Sequence, residues 1–326
     1  TSGAVLITRP LQDVKMATQY FDGLGRPLQT VARQGSLETG GTATDMVSPV
    51  MYDEFGREQY KYLPFMANNT GGNPSLTDGA FKMNPFQQQN TFMSAQYGAQ
   101  GETFFYGKTV FEPSPLNRPD KTMAPGNSWV GGPSGGRGVE MKYWVNTVTD
   151  NVKKWNVKDV PGSWGIYGMS PTGNNYEAGE LYKNVTVDEH GKQVIEFKDK
   201  EGKVILKKVQ LTATADDGTG KDYTGWLCTY YIYDILKNLR AVIQPEGVKA
   251  CATASFSNCS PLNDATLLSE QCFRYEYDQR NRIIMKKVPG AGDVYMVYDV
   301  RDRLVMTQDA NLRADGKWMV TKYDAL

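Results

Sequence analysis

"VYMVYDVRDRLVMTQD", residues 294–309, places apolar runs on both sides of an aspartate that is followed closely by arginines. The same chain holds relatives of this phrase: "QYFDGLGRPLQ" at 19–29, "VMYDEFGREQY" at 50–60, "FRYEYDQRNRII" at 273–284 and a shortened "TKYDAL" at 321–326. A catalytic motif usually occurs once in a chain, whereas a structural unit recurs. The repetition therefore indicates architecture before chemistry.

The shared core of these phrases predicts a β-hairpin turn. Asp is favoured at the first position of a type I turn because its carboxylate accepts a backbone N–H two residues on, and Gly is favoured at the fourth. Asn and Asp best replace Gly where φ is positive. The predicted turn residues are Asp22 and Gly25, Asp53 and Gly56, Asp188 and Gly191, Asp199 and Gly202, Asp234, Asp278 and Asn281, and Asp299 and Asp302.

The turn at Asp234 is the exception, because its fourth position is Lys237, followed by Asn238. This order is compatible with a turn that is longer by one residue. A basic residue follows most of the other turns: Arg26, Arg57, Lys192, Lys203, Arg282 and Arg303. Acid/base catalysis is the alternative role for these carboxylates, but turn chemistry accounts for nearly every copy, and we predict no catalytic residue among them.

The composition restricts the possible functions. The 326 residues include 40% hydrophobic and 22% charged residues, which is typical of a folded protein. Thirty-six basic residues balance thirty-six acidic ones, so the charge gives no support to nucleic-acid binding. No apolar stretch is long enough to span a membrane. With a single histidine, metal sites that need several His are excluded, and we predict neither a metal nor a cofactor.

Two features concern the compartment. The chain begins "TSGAVLITRP", which has neither an initiator Met nor a signal peptide, and we expect a product whose targeting segment has been removed. Cys228, Cys251, Cys259 and Cys272 lie close together in the sequence. Their clustering allows disulfides, and Cys251 with Cys259 could close a short loop, while free or partly buried thiols are the alternative.

The repeated phrases resemble the YD repeats of bacterial Rhs and insecticidal-toxin shell proteins, which also occur in animal teneurins. The segment "ITRPLQD…ATQYFDGLGRPLQTVARQGS…DMVSPVMYDEFGREQYKYLPF" resembles the domain of unknown function that precedes YD repeats in one bacterial branch. Further similar segments are "TVFEPSPLNRP", "VTVDEHGKQVIEFKDKEGKVILKK", "YYIYDILKNLRAVIQP" and "KKVPGAGDVYMVYDVRDRLVMTQD". The resemblance implies β-hairpins that spiral into a hollow shell, often around a toxic C-terminal domain. The copies here are spaced irregularly, and between 53 and 188 only the distorted "FEPSPLNRP" occurs.

The predicted fold is mostly β, built from repeated antiparallel hairpins in a partial shell or spiral, with one short helix near 85–97. Asn84 is its predicted cap, Pro85 suits its first position, and Phe86, Met93 and Tyr97 form its predicted core face. The predicted segments are 1–64 with two hairpin phrases, 65–182 with the helix, a Pro/Gly-rich loop and Trp-rich strands, and 183–326 with further hairpins. The stretch at 250–264 is predicted to be a surface insertion.

Three groups of residues are candidate sites, and each also has a possible structural role. His190, the only possible base of a Ser–His–Asp or Cys–His arrangement, lies at a predicted hairpin tip, where an exposed turn residue is expected. A carboxylate pair could hydrolyse glycosides without His, but the sequence offers too many pairs to choose one. Exposed aromatic rings stack on sugars or anchor partners. The possible ligand-binding residues are Trp129, Trp144, Trp155 and Trp164.

These observations predict a non-enzymatic, structural N-terminal portion of a larger bacterial YD-repeat protein, secreted or on the cell surface. It would start, cap or plug a β-hairpin shell. The expected partner is the rest of its own polypeptide beyond Leu326, with a cell-surface or glycan partner as a further option and no nucleic acid. The alternatives are a carbohydrate- or protein-binding module that uses the aromatic residues at 129–167, and a glycoside-active enzyme. Residues 318–323 are predicted to form a strand on an open sheet edge.

Overall fold

The chain divides into two compact units, residues 1–141 (unit 1) and 142–326 (unit 2). The fold is mostly antiparallel β, as the sequence predicted. The computed structural model describes residue 9 and residues 13–36, 43–159, 164–169, 174–211, 219–221, 223–253 and 265–324.

Unit 1 contains two sheets. The strands are β1 (Ala17–Phe21), β2 (Pro27–Ala32), β3 (Met46–Pro49), β4 (Tyr60–Tyr62), β5 (Phe65–Met66), β6 (Tyr106–Phe111), β7 (Pro119–Met123) and β8 (Val139–Val145). One sheet has the order β1-β2-β3-β5, and the other joins β4, β6, β7 and β8 in that order. The last strand crosses the division between the units. Val31, Val47 and Phe65 point from the small sheet into a core that also contains Met93 and Phe105.

The helix α1 (Pro85–Tyr97) forms where the sequence predicted it, with Pro85 in its first turn. The predicted capping by Asn84 is wrong: this residue has φ 49°, and its side chain donates to the Gly71 carbonyl instead of capping the helix. The predicted core face is wrong at Tyr97, which is 45% exposed. The buried face includes two glutamines, because Gln88 and Gln89 donate to the backbone carbonyls of Met83 and Phe105.

A buried ion pair fixes the loop before α1 to the small sheet. The Lys82 ammonium lies 2.7 Å from Asp45 Oδ2 and 2.8 Å from Asp78 Oδ1, and neither Lys82 nor Asp45 is accessible to solvent. Burial opposes the charge on Lys82, but the two carboxylates outweigh it and raise its pKa above the ordinary value. Gln29 completes the contact by exchanging two hydrogen bonds with the Lys82 backbone.

Unit 2 is built mainly from consecutive hairpins. Strands β9 (Trp155–Lys158) and β10 (Ile166–Met169) pair with each other. The others follow in chain order in one antiparallel sheet: β11 (Tyr182–Val187), β12 (Gln193–Lys198), β13 (Val204–Gln210), β14 (Trp226–Tyr233), β15 (Leu239–Ile243), β16 (Cys272–Tyr277), β17 (Ile283–Lys287), β18 (Val294–Tyr298), β19 (Leu304–Gln308) and β20 (Met319–Val320). Alternating residues such as Ile195, Phe197 and Tyr230 fill the core.

Three helices that the sequence did not predict interrupt this sheet: α2 (Pro245–Thr253), whose last residues belong to the predicted insertion at 250–264, α3 (Ala265–Gln271) and α4 (Ala310–Ala314). The first forms because Pro245 suits a first turn and because Val248 and Cys251, three residues apart, are both buried. Cys251 is disulfide-bonded, while Cys228 and Cys272 are free and buried. Residues 254–264, including Cys259, lie outside the described residues.

The last strand, β20, pairs with β19 and stands at the end of the sheet order. The predicted strand at 318–323 is therefore shorter than expected, because only Met319 and Val320 join the ladder. Among the described residues, no helix is both long and apolar enough to cross a membrane.

Candidate functional site: the hairpin tips

The hairpin tips share one hydrogen-bond geometry, shown here at Asp53. Its Oδ1 accepts the N–H groups of Phe55 at 2.9 Å and Arg57 at 2.8 Å, and its Oδ2 accepts Arg57 Nε at 2.8 Å. Its carbonyl accepts the N–H of Gly56, and its own N–H donates to the carbonyl of Arg57. Five other turn carboxylates accept the same two N–H groups, those of the residues two and four positions later. They belong to Asp22, Asp188, Asp199, Asp278 and Asp299.

Positive φ at the fourth position closes each turn. All four glycines that were expected to have it do, with φ of 76° at Gly25, 77° at Gly56, 80° at Gly191 and 83° at Gly202. Asn281 and Asp302 follow at 59° and 62°. The turn at Asp234 is not longer than the others: Lys237 itself has φ 66° and donates its N–H to the Asp234 carbonyl.

Five of the turns lower the pKa of their aspartate. The backbone N–H of the residue four positions on, helped by other turn donors, lowers the pKa of Asp22, Asp188 and Asp299. At Asp53 and Asp278, burial opposes ionisation, but the bonds from Arg57 and Arg282 still lower the pKa.

The "FEPSPLNRP" phrase forms the same kind of tip with two more residues. Glu112 replaces Asp, its N–H donates to the carbonyl of Arg118, and Asn117 takes the left-handed position with φ 53°. The Arg118 guanidinium, 2.8 Å from Oε2, and the Ser114 hydroxyl lower the pKa of Glu112 to about 2. The longer glutamate side chain spans the longer loop.

Neighbouring tips are joined by a cation and an aromatic ring. The basic residue that closes one turn lies over the ring that precedes the next acidic residue, at centroid distances between 4.5 and 5.1 Å. The pairs are Arg26 with Tyr52, Arg57 with Phe111, Lys203 with Tyr233, Arg282 with Tyr298 and Arg303 with Tyr323. This contact explains why the phrase carries an aromatic residue before Asp and a cation after the turn.

Tyrosine hydroxyls add a second link in unit 2. Tyr277 donates to the Leu239 carbonyl at 3.1 Å, Tyr298 to Ile283 at 3.0 Å and Tyr323 to Leu304 at 2.9 Å. Each acceptor lies five residues after the Asp of the preceding tip. The shared spacing fixes the position of each hairpin on the one before it.

Ion pairs and one amide–amide hydrogen bond join the four tips at Asp199, Asp234, Asp278 and Asp299, which we call the unit 2 tip row. The Lys237 ammonium lies 3.2 Å from Glu201, and the Asn238 amide donates to Asn281 Oδ1 at 3.1 Å. Further along the row, Arg280 and Arg282 both contact Asp302 at 2.7 Å.

The unit 1 tip row, formed by the tips at Asp22, Asp53 and Glu112, has an apolar surface instead. Its outermost side chains are Leu24, Phe55 and Leu116, which are 80%, 70% and 68% exposed. The Arg57 side chain contacts both neighbours, because it lies over Phe111 and donates to Asn117 Oδ1 at 3.1 Å.

The four tryptophans suggested as ligand-binding residues have four different surroundings. Trp129 lies beneath the Arg137 guanidinium, and Trp144 is 40% exposed between Lys142 and Lys183. Trp155 packs edge-on against Tyr230 in the core, with its Nε1 buried and without a partner among the described residues. Trp164 stacks on Tyr295 at 5.5 Å. Their role in binding stays a prediction.

The other candidate groups take part in turns. His190 is exposed at a tip, where its backbone N–H donates to Asp188. Asp199 and Asp234 line a small cavity of about 100 Å³ beside Trp155, and both carboxylates accept turn N–H groups. Within the part of the chain that the structure describes, no group of three or more His, Cys, Asp or Glu side chains could hold a metal ion.

Sequence reasoning did not identify the aromatic residues at the tips as partners of the preceding cation. The signal was present in the order of the phrase, since Tyr52, Tyr233, Tyr298 and Tyr323 all directly precede an aspartate. It also left Glu112 unassigned, because the Pro-lengthened turn hides the spacing.

Comparison with family models gives one match, the domain of unknown function DUF6443, over residues 1–145. That range includes all three tips of unit 1. No curated protein matches the chain.

Solved structures of toxin complexes have a similar fold. A crystal structure of TcdB2–TccC3–TEV aligns with a TM-score of 0.50 at 17% identity, over 91% of this chain and 11% of that chain. The Tc holotoxin pore of Photorhabdus luminescens gives a TM-score of 0.50 at 16% identity, with the same coverage, and TcdB2–TccC3 gives 0.50 at 16% over 91% and 12%. This chain thus spans about a ninth of those chains, and likeness at such identity concerns the fold alone. Both findings fit the resemblance drawn from the sequence.

Proposed function

We propose that this chain is a structural, non-enzymatic segment of YD-repeat type that starts, caps or plugs a β-hairpin shell in a larger bacterial protein. The observation that carries the proposal is the recurring link between tips. Acidic, basic and aromatic residues that could have served catalysis are engaged in turns and in contacts with the next hairpin. The fold likeness to toxin complexes supports the same role.

The partner in this proposal is further sequence of the same polypeptide, which would add to the edge at β20. Trp318, Met319 and Val320 are 38%, 61% and 57% exposed there. An unpaired strand edge with apolar side chains is a template for another strand. Tyr323 already makes the ring and hydroxyl contacts that Tyr298 makes one hairpin earlier.

We also propose secretion or surface display as the setting. The disulfide at Cys251 supports an oxidising compartment, where such bonds persist.

Hydrogen exchange on this chain and on a version extended by about thirty residues of its natural sequence tests the role. The proposal expects the amides of residues 317–322 to exchange more slowly in the extended chain. Equal protection in both chains would contradict it. A loss of hydrolytic activity on glycans or peptides caused by one Asp or Glu substitution would also contradict the non-enzymatic role.

A further inference from the structure

An open groove lies between two neighbouring tips of unit 1. It encloses about 720 Å³, within the range of small-ligand and peptide sites. Its apolar lining consists of Phe55, Phe111, Pro113 and Pro115. Phe55 is 70% exposed, so the part of its ring that the Arg57 guanidinium does not cover is accessible.

The two charged residues that line this groove, Arg57 and Glu112, are each paired with an opposite charge beside it. Arg57 pairs with Asp53 at 2.8 Å, and Glu112 pairs with Arg118 at 2.8 Å. The Glu112 carboxylate also accepts the Ser114 hydroxyl. A ligand therefore gains nothing from carrying a net charge of its own.

The hydrogen-bonding groups left over on the side chains are donors. Arg57 uses Nε and Nη1, but its Nη2 has no hydrogen-bond partner among the described residues. Asn117 accepts Arg57 with Oδ1, and its amide Nδ2 likewise has no partner there. The groove thus has an aromatic wall and two side-chain donors without a hydrogen-bond partner among the described residues. Its side-chain acceptors already accept hydrogen bonds from the protein.

We propose that this groove binds a proline-rich segment in the polyproline II conformation. Prolines carry a carbonyl acceptor but no N–H donor, so such a segment matches a groove with spare donors. Aromatic-lined grooves are the recurrent docking surface for this helix, which is rigid before binding and loses little entropy. A peptide without proline carries one N–H donor per residue. The side-chain acceptors of the groove already hold hydrogen bonds, so these donors would lack partners among them.

Fluorescence anisotropy on the whole chain tests the proposal, with a labelled ten-residue proline peptide and a Gly/Ser peptide of equal length. We expect the proline peptide to bind at least tenfold more tightly. Phe55→Ala should weaken it about tenfold or more, a typical loss for an aromatic anchor. Asn117→Asp keeps a residue that tolerates φ 53° but replaces a donor by an acceptor, and it should weaken binding too.

Leu24→Ala is the matched control, because Leu24, 80% exposed on the adjacent tip, is an apolar tip residue like Phe55 but does not line the groove. It should leave the affinity unchanged. Equal affinity for the two peptides, the absence of saturable binding, or equal losses in Leu24→Ala and Phe55→Ala would overturn the proposal. So would sedimentation showing that the groove closes on a second copy of the chain, with Phe55→Ala abolishing the dimer. Thermal melts of each variant distinguish lost binding from lost folding.

Discussion

The two tip rows share one turn and one cation–ring contact but differ in the other links between neighbouring tips. In unit 1, guanidinium groups lie on aromatic rings and the outermost residues are Leu24, Phe55 and Leu116. In unit 2, ion pairs and tyrosine hydroxyls accompany the same cation–ring contacts, and the exposed tip residues include the charged Arg280 beside the apolar Ile235, Leu236 and Val300. The turn requires an acid at its first position and a left-handed residue near its end. The residues between them are free to determine the surface.

Acid should produce the largest effect, and it should affect both rows. Carboxylates whose pKa is lowered in the folded state contribute stability that is present above their unfolded pKa and is lost as pH falls through the folded value. For Asp22, Asp53, Asp278 and Asp299 the loss begins below the ordinary value of 3.8, and for Glu112 it runs from 4.5 to about 2.

Thermal melts between pH 7 and pH 2, combined with hydrogen exchange at the tips, measure this loss. We expect the melting temperature to be steady from pH 7 to about 5 and to fall steeply below about 4. If the tip amides of unit 1 stayed protected from hydrogen exchange at pH 2 while those of unit 2 lost their protection, the two rows would not share one acid-dependent turn.

Glycine substitutions at the turns should have the next largest effect. Gly202→Val should lower the free energy of unfolding by about 1–2 kcal/mol through left-handed backbone strain. No steric clash adds to this cost, because no atom lies within 4 Å of an added Cβ. Gly56→Val should cost at least as much, since a Cβ there would lie 2.9 Å from Arg26 Nη1. Chemical denaturation measures both, with Gly202→Asn as the tolerated control. Unchanged stability in both valine variants would argue against the turn.

Loss of one tyrosine hydroxyl should distinguish the rows. Tyr298→Phe removes the bond to the Ile283 carbonyl and should cost about 0.5–1.5 kcal/mol. The matched variant is Tyr52→Phe in unit 1, because the Tyr52 hydroxyl has no hydrogen-bond partner among the described residues while its ring still lies under Arg26. It should be neutral by denaturant titration. Equal costs in the two variants would remove this difference between the rows.

The smallest effect should come from the exposed ion pairs. Asp302→Asn keeps a residue suited to φ 62° but removes the charge shared by Arg280 and Arg282. Because Asp302 is 58% exposed, the cost should be about 0.2–1 kcal/mol at low salt and smaller in 1 M NaCl. Leu24→Ala in unit 1 should show no such salt dependence. A salt-independent cost for Asp302→Asn would mean that the row is not held by charge.

Local chemistry explains which parts of the fold the sequence could predict. The turn residues follow from the conformational preferences of Asp and Gly within five residues, and α1 follows from Pro85 and its length. Lys237 was misjudged because nothing nearby in sequence marks a lysine as left-handed. Its side chain reaches Glu201, a contact between hairpins that a turn preference does not encode.

The candidate site was harder to predict, because its contacts join residues that are distant in sequence. Arg57 and Phe111 are far apart in sequence, and no periodicity pairs them. The helix α2 was missed because its buried residues, Val248 and Cys251, give only a short apolar pattern. The groove was missed for a similar reason, because its lining joins a regular tip to one lengthened by two residues.

The chain order of strands β11–β20 has a kinetic consequence. Each strand follows its sequence neighbour in the sheet, so a hairpin needs only the one before it to be in place. Contact order within this sheet is low for a β protein, which favours fast folding. During synthesis, each new hairpin can close in about 1–10 μs on an already folded edge, far faster than residues are added. The sheet can therefore grow as it is made, with little unpaired strand exposed at any moment.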